Sequence, residues 1–154
     1  MTPAAPSPLG GGNALESSLR EPVARHFRAM GYAVLHEVPV NGRYADLLAG
    51  RDEQLVAVEL KLADWKEALA QAMHYQLAAQ RSYVALPLAK THAPLRARSR
   101  FERQGVGVLG VAPAGDVRLL LDARENERRL PFLTHGVLDG WFRGRPLPRP
   151  GLSK

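Results

Sequence analysis

A chain of 154 residues suits one domain with a core of ordinary size, and its 45% hydrophobic and 23% charged content is that of a globular protein. It contains no cysteine, which excludes disulfides and thiolate metal sites and fits a reducing, cytoplasmic setting. The formal net charge of +6 is lopsided, because from Lys90 onward stand 13 of the 21 Lys and Arg but only 6 of the 15 Asp and Glu. A basic half of this kind is either a solvated face or the footprint of a polyanionic ligand.

Residues 1–12 are rich in Pro and Gly and are expected to be disordered, residues 13–142 to form one domain, and residues 143–154 a loose basic tail. The first residues lack the charged start and apolar core of a signal peptide. No apolar run approaches the roughly 20 residues of a membrane span, so no membrane partner is expected.

In chain order, Leu15, Leu19, Val23, Phe27 and Met30 recur at spacings of four and three, one stripe of an amphipathic helix. Asn13 and Glu16 have capping-box spacing and Gly31 is placed to end the helix. Pro22 conflicts with a helix interior, so the helix either kinks there or begins near Ser18 after an extra turn. Tyr32–Val40 reads as a strand that Pro39 closes or pushes to a sheet edge. Tyr44–Ala49 and Leu55–Leu62 read as a hairpin across the polar turn Gly50–Gln54. Asp64 and Glu67 form a second capping box, opening a helix to about Gln80 whose core-facing set is Trp65, Ala68 or Leu69, Ala72, Gln76 and Ala79. Ser82–Leu86 is a buried strand stopped by Pro87. Pro94–Gln104 is a basic, helix-compatible stretch, and Gly105–Val111 and Val117–Asp122 are two further strands. Pro131–Trp141 closes with a short helix. This order implies an α/β fold, a mixed central sheet flanked by helices, with a right-handed crossover setting Ser82–Leu86 parallel to Leu55–Leu62.

The charges within the hairpin are out of place. Strand side chains alternate between faces, so Val56, Val58, Leu60 and Leu62 share one, while Leu55, Ala57, Glu59 and Lys61 share the other. Glu59 and Lys61 thus sit inside an apolar run, and Asp46 does the same on the preceding strand. Buried charges are paired or bound to a metal. Two carboxylates from adjacent strands can hold a hard divalent cation such as Mg²⁺, which orients a phosphodiester and activates water, with Lys61 beside the attacking water. The competing explanation is an exposed Glu59–Lys61 ion pair on an edge strand, worth about 1 kcal/mol at most. The five histidines show no H-x-x-x-H ligand spacing, although His74 adjoins Tyr75. Trp65 and Trp141 read as packing anchors.

The set Glu16, Asp46 and Glu59-Leu60-Lys61, followed by a helix carrying Gln71 and Tyr75, resembles the PD-(D/E)XK nuclease superfamily, whose fold is restriction-endonuclease-like with an αβββαβ core. The likeness spans roughly Glu16 to Pro87. Within it, Leu19-x-x-Pro22-Val23 and Gly31-Tyr32-x-Val34 ahead of Val56-x-Val58-Glu59-Leu60-Lys61 look like small bacterial phosphodiesterase-type members. One departure is Ala45, where the motif usually has proline before the Asp.

The resemblance implies a Mg²⁺- or Mn²⁺-dependent hydrolase acting on nucleic acid, with DNA as the expected partner and DNA repair or restriction and defence as the setting. It implies Asp46, Glu59 and Glu16 as metal ligands, Lys61 as the catalytic residue, and Gln71 and Tyr75 lining the site. Glu16 is either that third ligand or only a capping-box partner, with Glu21 as substitute. Gln71 and Tyr75, four apart on one helix face, are site-lining or a polar shoulder of the core. Arg43 contacts phosphate or braces its loop, and Arg96, Arg98 and Arg100 are the expected nucleic-acid contacts with Tyr75. A homodimer and a larger repair or defence complex are the further partners considered. The alternative function is a nucleic-acid-binding or complex-forming module with this fold and no turnover.

Overall fold

The computed structural model describes residues 16–143. Asn13, Leu15, the expected leading segment and most of the expected tail lie outside these residues.

Helix α1 is Arg20–Ala29. Its register removes the proline conflict, since Pro22 falls in the first turn, where main-chain N–H groups have no intrahelical acceptor. The segment before it turns once, with the Leu19 N–H donating to Glu16 O at 3.0 Å. Val23, Ala24 and Phe27 are buried, and Gly31, at φ +91°, ends the helix.

Strands β1 (Ala33–Val40), β2 (Arg43–Arg51) and β3 (Gln54–Leu60) form an antiparallel meander. Asn41-Gly42 joins the first two with both residues at positive φ, the geometry that twists with its flanking strands. The β2–β3 turn is only Asp52-Glu53, tighter than the five-residue turn expected, because Arg51 already pairs with Gln54.

Helix α2 is Trp65–Tyr75, and the Asp64 carboxylate accepts from the Glu67 N–H at 3.2 Å, as the capping box predicts. It stops at Tyr75 and not at Gln80, because residues 76–79 close a tight turn that brings the Gln80 N–H onto Leu55 O of β3 at 3.0 Å. There the Gln80 side chain accepts from Leu55 N–H and donates to Glu53 O, both at 2.8 Å, as a neighbouring strand would. Strand β4 (Arg81–Pro87) lies parallel to β3, the expected crossover result.

The basic stretch is two short helices, α3 (His92–Arg96) and α4 (Arg98–Gln104), broken at Ala97. Strand β5 (Gly107–Val111) is parallel to β4, and β6 (Val117–Leu121) antiparallel to β5. Helix α5 (Pro131–Val137) runs into a wide turn, Leu138–Phe142.

The result is one six-stranded mixed sheet in the order β1-β2-β3-β4-β5-β6, flanked by helices. Pro39 lies on an edge strand, where its missing donor costs least. On one face α1 packs Val23 and Phe27 against Leu47, Ala49, Val56, Val58 and Leu109. On the other, Tyr75 and Ala79, with Val137 and Phe142, cover Leu48, Leu55 and Ala57. Next to them Ala68, Leu69, Ala72 and Phe101 cover Val84, Leu86 and Val108. Each large side chain so buried contributes roughly 1.5–3 kcal/mol. Trp65 is half-buried with its ring 5.6 Å from that of Phe101, whereas Trp141 is exposed and anchors little. Among the described residues no helix is long and apolar enough to cross a membrane.

Candidate active site

The site forms where the pleat of β1 and β2 inverts. Val34 and Leu47 pack on the α1 side while Leu35 and Leu48 pack on the α2 side, as alternation requires. Beyond that point Val38, Val40 and Ala45 all belong to the α2 side. The inversion sits at Glu37 and Asp46, which lie between the paired residues His36↔Leu47 and Val38↔Ala45. Glu37 adopts φ +55°, a left-handed conformation uncommon for a residue with a side chain.

The β2–β3 ladder also ends here. Its last inward rung is Leu47↔Val58, and continuing the register sets Asp46 opposite Glu59. Instead of pairing main chain to main chain, Asp46 turns its carboxylate in and accepts from the Leu60 N–H at 2.8 Å. Glu59 remains paired with β4, in an interior strand, and is only 6% exposed. An exposed edge-strand ion pair is therefore not what Glu59 forms.

The two carboxyl groups are near enough for each to bear on the other's charge. Burial and the neighbouring Asp46 charge push Glu59 up to about 8, partly offset by Lys61 and Tyr75. Burial also raises Asp46, against the Leu60 N–H and the charges of Lys61 and Arg20. Glu59 Oε1 is buried with no hydrogen-bond partner. A buried carboxylate oxygen left without a donor, beside a second carboxylate, is a donor set suited to a hard cation. Asp46 and Glu59 thus fit the expected metal.

Other expected residues gather around this pair. Gln71 and Tyr75 meet on one face of α2, where the Tyr75 hydroxyl donates to Tyr44 O at 2.7 Å and lies 3.3 Å from Gln71 Oε1. Tyr75 is fully buried, which corrects its reading as a nucleic-acid contact. Its hydroxyl lies near enough to Glu59 to ease the charge on that carboxyl. His74, beside it, lies with Nε2 3.1 Å from Asn41 O and braces the β1–β2 turn.

Lys61 follows β3, its N–H donating to Ala85 O at 3.0 Å. Its ammonium stands 2.7 Å from a Glu67 oxygen, so Glu67 takes the contact expected beside Glu59. Glu16, Arg20, Glu37 and Asp46 line one cleft of about 240 Å³, and the Glu16 charge reaches Lys61. Glu16 nevertheless does not complete a three-carboxylate cluster, since among the described residues no three His, Asp or Glu side chains are grouped to hold a metal.

The cationic residues divide. Arg43 is exposed at the start of β2 and its charge reaches Tyr75, at the rim of the site. Arg100 lies over Trp65 at 5.2 Å, at the opening of α2 and so near the Lys61–Glu67 pair. Arg98 is held by Glu102 at 3.2 Å, and Arg96 is exposed at the end of α3. Among the described residues no contact ties Arg96 or Arg98 to Asp46 or Glu59. Arg20 and Glu37 were not among the expected site residues. A signal existed for Arg20, which stands one helical turn after Glu16, whereas nothing in the sequence announces the backbone of Glu37. Comparison with known protein families and with curated proteins finds no match for this chain.

Proposed function

We propose that this chain is a divalent-metal-dependent nuclease of the PD-(D/E)XK superfamily, with a restriction-endonuclease-like fold, hydrolysing phosphodiester bonds in DNA. One observation carries the reading: a buried carboxyl, Glu59, and a half-buried one, Asp46, stand opposite each other at an opened rung of the sheet, and an oxygen of Glu59 has no partner. The order α1, β1, β2, β3, α2, β4, with β3 and β4 parallel, supports the fold assignment.

Mg²⁺ or Mn²⁺ held by Asp46 and Glu59 would orient the phosphodiester, acidify a water and neutralise developing charge. The chain's own groups supply the rest. The Leu60 N–H fixes Asp46, and Tyr75, held by Tyr44 O and beside Gln71, lowers the cost of charge on Glu59. Lys61, freed from the exposed Glu67, holds the attacking water or faces the negative charge that builds on phosphate oxygens. Arg43, Arg96, Arg98 and Arg100 offer phosphate contacts outside the cleft.

The test is cleavage of labelled DNA by the purified chain with Mg²⁺ or Mn²⁺, against chelator and Lys61→Ala. Metal-dependent cleavage lost in the variant supports the reading, while absent cleavage or an equally active variant removes it. A second reading, a DNA-binding module without turnover, draws on the Lys61–Glu67 pair and the lack of a three-ligand cluster among the described residues. Salt-sensitive DNA binding with no heat of metal binding would favour it.

A further inference from the structure

The cleft beside Asp46 is lined by three carboxylates, Glu16, Glu37 and Asp46, and by one cation, Arg20. Arg20 is the first residue of α1, and its charge reaches Asp46. Its guanidinium is half satisfied. The Nη2 group donates to Glu37 Oε2 at 3.0 Å, while Nε is buried and has no acceptor. Nε and Nη2 together form the edge of the guanidinium that grips two oxygens of one oxyanion. Glu37 supplies one oxygen to that edge and leaves the other donor empty.

Glu37 is a weak holder. Its side chain is 67% exposed, so the pair is screened by solvent, and its backbone is held in the left-handed region. A ligand that presents two acceptor oxygens and carries its own charge can replace it.

We propose that Arg20 binds a phosphate of the nucleic acid strand in the cleft through its Nε–Nη2 edge, with Glu37 as the counterion it leaves to do so. This rests on the nuclease reading for the identity of the ligand, but makes a separate claim about one residue. Arg20 would position the strand across Asp46 and Glu59. Arginine is required because only a planar fork offers both donors at once. In the free protein Glu37 offsets the charge that Arg20 would otherwise leave unpaired in the cleft.

The experiment measures binding of a short fluorescein-labelled DNA strand and its duplex to the full chain in Ca²⁺, across salt concentrations, with cleavage in Mn²⁺ alongside. Wild type is compared with Arg20→Gln, Arg20→Lys and Glu37→Gln. Loss of one charge-assisted phosphate contact predicts about tenfold weaker binding for Arg20→Gln and a salt slope shallower by about one. Arg20→Lys is expected to keep the slope but not the full affinity. Glu37→Gln breaks the same ion pair and is expected to bind at least as tightly as wild type, which separates ligand binding from a structural role. If wild type binds and cleaves while Arg20→Gln matches its affinity and salt slope, the inference is overturned and the nuclease reading stands. If Glu37→Gln weakens binding as much as Arg20→Gln, the pair is structural and the inference is likewise overturned. If wild type neither binds nor cleaves, the function fails and this role fails with it.

Discussion

Lys61 Nζ and Glu67 Oε1 stand 2.7 Å apart, so the ammonium proposed for catalysis is engaged by a carboxylate one helical turn into the capping region of α2. Glu67 is about half exposed and Lys61 largely covered. Such a pair contributes up to about 1 kcal/mol. Removing it releases Lys61 toward Glu59 at little cost to the fold, because the α2 cap uses the Glu67 main chain and not its side chain. Glu67→Ala is expected to raise the rate of DNA cleavage up to about fivefold, with a melting temperature close to wild type. A rate that falls as far as in Lys61→Ala would show that Glu67 works with Lys61 and does not restrain it.

Tyr75→Phe separates the polar handle of that residue from its bulk. The ring keeps its packing against Leu48, Leu55 and Ala57, but Tyr44 O loses its donor and Gln71 its neighbouring hydroxyl. The expected loss of stability is about 1–2 kcal/mol by denaturant titration. Catalysis is expected to fall through kcat with KM little changed, since a buried hydroxyl behind Glu59 touches no substrate.

The metal-free protein should lose stability as pH rises through the neutral range. Glu59 ionises near 4.5 when unfolded and only at about 8 when folded, so between those values the folded state holds the extra proton. That proton favours the fold fully below about 4.5, and the advantage drains away by about 8. Melting temperature is thus expected to decline from mildly acid to mildly alkaline pH, and Glu59→Gln is expected to flatten the decline. Added Mn²⁺ should reverse it, as the cation replaces the proton on Glu59. A wild-type profile with the same slope as Glu59→Gln would contradict the coupling of these groups.

Gly107 tests the far side of the sheet. A Cβ there would lie 2.6 Å from Leu121 O and from the Tyr83 ring, and the Tyr83 hydroxyl is anchored on Asp122 at 2.6 Å. Neither neighbour can give way cheaply. Gly107→Ala is expected to cost about 2–3 kcal/mol, read by chemical denaturation, with metal binding retained in the folded fraction.

Much of this architecture is written in local pattern. The alternation of Leu55–Leu62, the Asp64 cap and the 3.6-residue stripe of α1 each name their element, and together they place β4 parallel to β3. Asn41-Gly42 is a further hairpin signal that ties β1 to β2. What the pattern does not carry is three-dimensional. Helix α2 stops early because residues 76–79 turn to deliver Gln80 to the sheet, and Gln80 mimics a strand through contacts made 25 and 27 residues away. Asp46 and Glu59 were legible as misplaced charges. That they meet depends on the inversion at Glu37, where a residue with a side chain takes a positive φ. Lys61 was legible as a residue, but its partner was not, because Glu67 reaches it only after the turn into α2.

The central claim is that Asp46 and Glu59 share one divalent cation, and the most direct measurement is calorimetric titration of Mn²⁺ into the full chain and into Asp46→Asn and Glu59→Gln. The account predicts saturable binding at a single site in the wild type, with proton release that grows as pH falls below about 8, and loss of that binding in both variants. No heat of binding in the wild type, or binding left intact when either carboxylate is neutralised, would contradict it.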